Sequence, residues 1–220
     1  CNFLRVAGIN CLTDSSYRDY GTDTVGYSIV LARYDEGEMT KLALCADSIF
    51  GAWGLGKAVS FRAGGWTAAV HTLRALWTAG YRVDASASNL SRAEEFTAGA
   101  LYPWLKGNWG DLGDTAQPYY PSLHDVLSSN PPQIGILEAP DNGILADYAD
   151  SAEMVELFHK NWIQKELPRP RHLSIGYHPD TFSWTFDRLD GALGYIDGYL
   201  AENDKGPVVY VKMADLVEIW

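Results

Sequence analysis

The sequence predicts an α/β fold built on a mostly parallel sheet, and three observations predict it. Segments of strand character alternate with segments of helical period along the chain. The strand-like segments are short and mostly apolar, as strands covered on both faces are. Ionisable residues recur at their C-terminal ends, where the strands of a parallel sheet bring their sites together. A closed or partly closed barrel and an open doubly wound sheet both satisfy this pattern. The length of 220 residues predicts one domain spanning 1–220.

The elements follow in order. "VAGINCLTD" (6–14) reads as a buried strand, and "TVGYSIVLARY" (24–34) as a second apolar, β-branched run. "EGEMTKLALCADSIF" (36–50) places Met39, Leu42, Ala46 and Ile49 at helical spacing. "AVSFR" (58–62) is a short strand. "WTAAVHTLRALWTAG" (66–80) sets Trp66, Val70, Leu73 and Trp77 on one helical face, and Gly80 stops it. "YRVDAS" (81–86) is again a strand. Residues 87–133 show no strong period and are rich in Gly, Pro, Ser, Asn, Trp and Tyr, the mark of a functional or poorly ordered connection. "IGILEAP" (134–140) is a strand. "SAEMVELFHKNWIQKEL" (151–167) is a helix with Ser151 as N-cap and Met154, Leu157, Phe158 and Trp162 inward. "HLSIGYH" (172–178) is a strand. "TFDRLDGALGYIDGYLAEN" (185–203) is a helix with Phe186, Leu189, Leu193, Ile196 and Leu200 on its stripe, and "PVVYVKM" (207–213) is the last strand.

Composition narrows the function. A net charge of −11 argues against nucleic acid and fits a cationic substrate or simple solubility. No run approaches the length of a membrane span. No basic n-region and apolar h-region opens the chain, so any leader is expected to be already removed or never present. Cys1 suits a lipidated first residue, but a strand-like stretch follows it with no polar tether. The chain is therefore expected to start inside a larger pattern. The three cysteines, Cys1, Cys11 and Cys45, form no C-x-x-C pair and leave either one disulfide plus a free thiol or three free thiols. No G-x-G-x-x-G and no G-x-x-x-x-G-K-[ST] appears, so nucleotide binding has little support.

Five strands end on an ionisable residue: Arg62, Asp84, Glu138, His178 and, for the first strand, Asp14. His178 stands out, because a histidine at a strand-to-loop junction exchanges protons near neutral pH. His71 and His159 sit within helices and read as structural or exposed, while His124 and His172 have no partner visible in sequence. Aromatic residues make up 13% of the chain, and several stand in polar, Gly/Pro-rich context, as rings in a sugar-binding groove do. Trp104, Trp109 and Tyr119, with Glu138 at a strand end and Trp66 at the start of a helix, are the candidate substrate contacts.

"SFRAGGWTAAVHTLRALWTAGYRVDASAS" resembles a segment of the polysaccharide deacetylase family, the NodB-homology domain. There an F-R-A-G strand end is followed by a helix and a G-Y-x-V-D-S-S strand. "QPYYPS" (117–122), "GILEAP", "LSIGYHPDTF" and "GPVVYVKMADLVEIW" resemble later family segments in the same order. Together they span about residues 55–220, roughly three quarters of the chain. The resemblance implies a distorted (β/α) barrel that hydrolyses N-acetyl groups from amino-sugar polymers, outside the cell or in its envelope. It implies a divalent metal such as zinc, held by an Asp and two His, that polarises the acetyl carbonyl and the attacking water. By position Arg62 is the arginine that orients a catalytic carboxylate, His178 the acid that protonates the leaving amine, and Asp84 a residue lining the site. The metal histidines have no counterpart: Ser28 and Val30 stand where they are expected, and Asp14 is spaced too closely to stand in for the family's early aspartate. No metal ligands are therefore assigned.

Three readings follow. The first is a hydrolase removing N-acetyl or O-acyl groups from a polysaccharide or amino-sugar oligomer. The second is a catalytically silent, metal-free carbohydrate-binding member of the same fold. The third is a metal-independent hydrolase using Asp84 and Glu138 as paired carboxylates at the spacing of about 5–9.5 Å that glycosidases keep.

Overall fold

A computed structural model of the chain describes residues 2–13, 29–92, 101–162 and 167–220. The strand at 58–62 narrows to β1 (Ser60–Phe61), that at 81–86 to β2 (Val83–Asp84) and that at 134–140 to β3 (Leu137–Glu138). These three pair in parallel in the order β1-β2-β3. The result is a mixed helix-and-sheet fold around a small, open parallel sheet. Parallel neighbours need a crossover, and α3 (Val70–Ala79) supplies the one between β1 and β2. It ends as its sequence requires: Gly80 takes φ 93°, a left-handed conformation open to glycine without strain.

The register sets Ser60, Val83 and Leu137 in one row and Phe61, Asp84 and Glu138 in the next. Successive residues of a strand point to opposite faces. Val83, Leu137 and Ala139 accordingly pack beneath Leu216, which the closing 3-10 helix Met213–Glu218 supplies. Ile134 and Ile136 join the larger core formed by Leu73, Leu76, Tyr81, Leu105 and Trp109. α2 (Glu36–Ala52) packs against α3. Its start is fixed by a capping box: Asp35 Oδ1 accepts from Glu38 N at 2.8 Å, and Asp35 N donates to Glu38 Oε2 at 3.0 Å.

Several expectations are corrected. Residues 6–13 form no strand; α1 (Asn2–Val6) ends there, and Gly8, at φ 72°, turns the chain so that Ile9 packs with Tyr34, Met39 and Ala75. In 24–34 only residues from 29 on are described, and Leu31–Arg33 is a 3-10 turn. On α3 the inward face is Thr72, Leu73, Ala75, Leu76 and Ala79, whereas Trp77 is exposed. The aperiodic 87–133 contains α4 (Leu101–Trp109). α5 (Ser151–Asn161) is capped by Asp150 rather than Ser151: Asp150 Oδ1 accepts from Glu153 N at 2.9 Å, while the Ser151 hydroxyl donates to Arg188 O at 2.7 Å. α6 (Phe182–Ile196) buries Thr185, Ala192 and Ile196 and leaves Phe186 exposed. The expected strands at 172–178 and 207–213 contribute single bridges only, Leu145 to Gly176 and Leu200 to Val208. Val209, Tyr210 and Val211 of the latter run are exposed, with no neighbouring strand to pair with among the described residues.

Candidate functional site

The strand ends do converge. Asp84 and Glu138 are direct neighbours across β2 and β3, and both are fully buried. Ser86 donates its backbone N–H to Asp84 Oδ2 and its hydroxyl to Asp84 Oδ1, both at 3.0 Å. Ala87 N donates to Glu138 Oε1 at 2.9 Å, but Glu138 Oε2 is buried without a donor among the described residues. Two facing carboxylates in a dry site cannot both be ionised. Burial and the neighbouring Asp84 push the Glu138 carboxyl well above its ordinary value, and a proton on it turns repulsion into a hydrogen bond to Asp84. Burial likewise raises Asp84, against the hydrogen bonds it receives and the pull of Arg62. Two side chains that neighbour each other across the strands and are both fully buried offer no open face to a sugar, which argues against the paired-carboxylate glycosidase reading.

Arg62 leaves the end of β1 and meets a carboxylate that sequence reading missed. Its Nη1 lies 3.1 Å from Asp141 Oδ2, with Arg62 about one-third exposed (33%) and Asp141 wholly buried (0%). Trp66 Nε1 donates to the same oxygen at 3.1 Å, and the Ser174 hydroxyl donates to Asp141 Oδ1 at 3.0 Å. The backbone of Asp141 is pinned as well: its N–H donates to Ala87 O at 2.7 Å and its carbonyl accepts from Asn89 N at 3.2 Å. Burial raises the Asp141 carboxyl, and Arg62, Ser174, Trp66 and His178 each pull it back. Gly176 passes so close that a Cβ there would lie 2.9 Å from Leu145 and 3.9 Å from Arg62 Nη1.

His178 reaches the same region from the loop before α6. Its Nδ1 lies 3.2 Å from Asp147 Oδ1, and its backbone N–H donates to Asp147 Oδ2 at 3.1 Å. Thr181 donates its hydroxyl to Asp147 Oδ1 at 2.5 Å. Burial alone would raise the Asp147 carboxyl, but these hydrogen bonds outweigh it and hold it below the ordinary aspartate value. The imidazole is about half exposed (49%), and Nε2 has no hydrogen-bond partner among the described residues. Tyr148 joins the two halves of the site, its ring 6.1 Å from Trp66 and 6.5 Å, edge-on, from His178. His172, near Arg62, is driven down to about 4 by burial and that positive charge, so it is neutral at pH 7.

The structure thus groups Arg62, Asp84, Glu138, Trp66 and His178, and adds Asp141, Asp147, Tyr148, His172 and Ser174. Asp141 stands three residues past Glu138 in "EAPDNG", one step beyond the strand end where the sequence reading stopped. Asp147 and Ser174 carry no sequence signal, because only the fold brings them here. The other aromatic candidates lie elsewhere. Trp109 is a fully buried core residue whose Nε1 donates to Trp66 O at 2.7 Å, so it offers no face to a ligand. Trp104 packs against the same core. Tyr119 pairs antiparallel with Glu138 and donates its hydroxyl to Val126 O at 2.7 Å. Trp66 is itself buried and acts as a donor to Asp141 rather than as an open platform.

Among the described residues, no group of three His, Cys, Asp or Glu is placed to hold a metal ion. Val30, where a metal histidine is expected by resemblance, is a buried core residue, while Ser28 and Asp14 lie outside the described residues. Among the described residues, none therefore fits the divalent metal that the resemblance implies. Among the described residues, no helix is long and apolar enough to cross a membrane. In comparisons with known proteins, no family model matches the chain, and no curated protein and no solved structure matches it either.

Proposed function

We propose that the protein is a carbohydrate-active hydrolase that removes N-acetyl or O-acyl groups from a polysaccharide or amino-sugar oligomer. We read its sheet as part of a distorted (β/α) barrel of the polysaccharide deacetylase type. The observation that carries this reading is the half-exposed His178, held by Asp147 and set beside the Arg62–Asp141–Ser174 cluster. A histidine whose Nδ1 is fixed by a carboxylate presents Nε2 for proton transfer. A water adding to the acyl carbon gives its proton to His178, which returns it to the departing nitrogen or oxygen. The products are the free acid and the deacylated sugar. Arg62, held by buried Asp141 with one face open, stabilises the negative charge that develops on the acyl oxygen. An extracellular or cell-envelope location goes with a polymer substrate, and Cys11 is disulfide-bonded, the chemistry of an oxidising compartment.

Acetate release from acetylated glucosamine or chitin oligomers tests the proposal, with and without added Zn²⁺ or Co²⁺. The expected result is release that His178→Ala reduces at least a hundredfold in a folded variant. No release from well-folded protein under any metal condition refutes it.

A second reading, a catalytically silent carbohydrate-binding protein, is favoured by one observation. Asp84, Glu138 and Asp141 are all sealed, whereas Tyr177 and Phe182 beside His178 are exposed, with ring centroids 5.0 Å apart. It predicts calorimetric glycan binding that Tyr177→Ala weakens, with no acetate released.

A further inference from the structure

Away from the strand ends, Lys160, Asn161, Leu167, Pro168, Arg169 and Arg171 line a cavity of about 330 Å³. Three of these six are cations, on a chain whose net charge is −11. One cation is already neutralised: Lys160 Nζ lies 2.6 Å from Asp114 Oδ2 and 2.7 Å from Glu156 Oε1. The two guanidinium groups are not. Arg169 is exposed and makes no ion pair among the described residues. Arg171 donates its Nη2 only to neutral oxygens, Thr115 O and Asn161 Oδ1, each at 3.2 Å. Its Nε is buried without a hydrogen-bond partner among the described residues. A planar guanidinium with a free edge matches the paired oxygens of a carboxylate or phosphate.

The wall of the cavity is also firm. Asn161 is buried and donates its Nδ2 to Asp114 O and Leu157 O, while its Oδ1 accepts from Gln117 Nε2 at 3.0 Å. Gln117 in turn accepts from His172 N at 2.6 Å, so the segment bearing Arg171 is held in place. The volume is at the low end for small-molecule sites, which limits the ligand to about one sugar ring.

We propose that this cavity binds an oxyanion, a carboxylate or phosphate, carried on a group the size of a single sugar. The assignment does not depend on the acyl-hydrolase reading. Isothermal titration calorimetry of the full chain at low salt tests it, with glucuronate, glucose 6-phosphate, inorganic phosphate and neutral glucose as the probes. The expected result is binding of one or both anionic sugars, at least tenfold weaker binding of glucose, and a loss of tenfold or more in Arg169→Ala and Arg171→Gln. Glucuronate without glucose 6-phosphate identifies a carboxylate site, and the reverse a phosphate site. Arg169 is exposed and unpaired, so its variant keeps the test decisive if Arg171→Gln misfolds. Failure of every anion to bind, binding of inorganic phosphate alone, glucose binding as tightly as its anionic relatives, or unchanged affinity in folded Arg169→Ala each overturns the proposal.

Discussion

Replacing Glu138 with glutamine should make the protein less sensitive to rising pH. Glu138 is fully buried beside Asp84 and holds its proton well above the ordinary glutamate value of 4.5. In the unfolded chain the same group ionises near that ordinary value. As pH rises from there, the folded state keeps a proton that the unfolded state has lost. Stability that is fully present below pH 4.5 therefore falls by about 1.4 kcal/mol per pH unit for this one proton, until the folded carboxyl also ionises. A glutamine has no proton to lose. Its amide can donate to Asp84 as the protonated acid does, and its carbonyl oxygen can accept from Ala87 N as Glu138 Oε1 does. Asp84 faces a neutral partner in both proteins, and Asp141 contributes equally to both. The wild-type minus Glu138→Gln difference in unfolding free energy should thus shift toward the variant as pH rises above 4.5, by up to about 1.4 kcal/mol per pH unit until the folded carboxyl ionises. Urea denaturation at pH 5, 6 and 7 measures it. Parallel stability profiles for the two proteins would mean that Glu138 holds no proton and that the reasoning is wrong.

Two further predictions concern packing. A Cβ at Gly143 would lie 2.0 Å from Ser174 O, a backbone atom that cannot step aside. Gly143→Ala should cost about 2–3 kcal/mol and move Ser174 away from Asp141, and thermal unfolding together with the acetate assay checks both. Trp109→Ala should cost about 3–5 kcal/mol in urea denaturation, as the loss of a fully buried aromatic does. A glycan-binding defect with unchanged stability would instead place this ring in a groove.

The convergence of Arg62, Asp84 and Glu138 was legible because a parallel sheet leaves little choice. Strands running the same way must deliver their C-terminal residues to one edge, and the register then sets neighbours side by side. The partners that give those residues their character were not legible. Asp141 lies 75 residues from the Trp66 that donates to it, and Ser174 lies 112 from Arg62. No periodicity spans such distances. Local signals also misled where they had two meanings. The polar surroundings of Trp109 looked like an open loop, yet they belong to α4, a helix that turns this ring inward. "PVVYVKM" has the composition of a strand, but composition cannot supply a neighbour. Gly8 shows the opposite failure: the glycine that closes α1 stands in plain view within a run that has the composition of a strand.

The clamp on Asp141 also bears on how the chain assembles. It joins Arg62 and Trp66, the 87–89 backbone and Ser174, so a large loop must close before the cluster exists. Closing long loops costs entropy that only later contacts return, so such contacts form late and slow the search. Trp66 sharpens this, because its φ of 56° is an unfavourable left-handed conformation for a bulky residue. That conformation gains the support of its indole bond only once Asp141 has arrived. The site should therefore appear with the last cooperative step of folding and vanish with the first of unfolding, and a fragment that stops short of Ser174 should lack it.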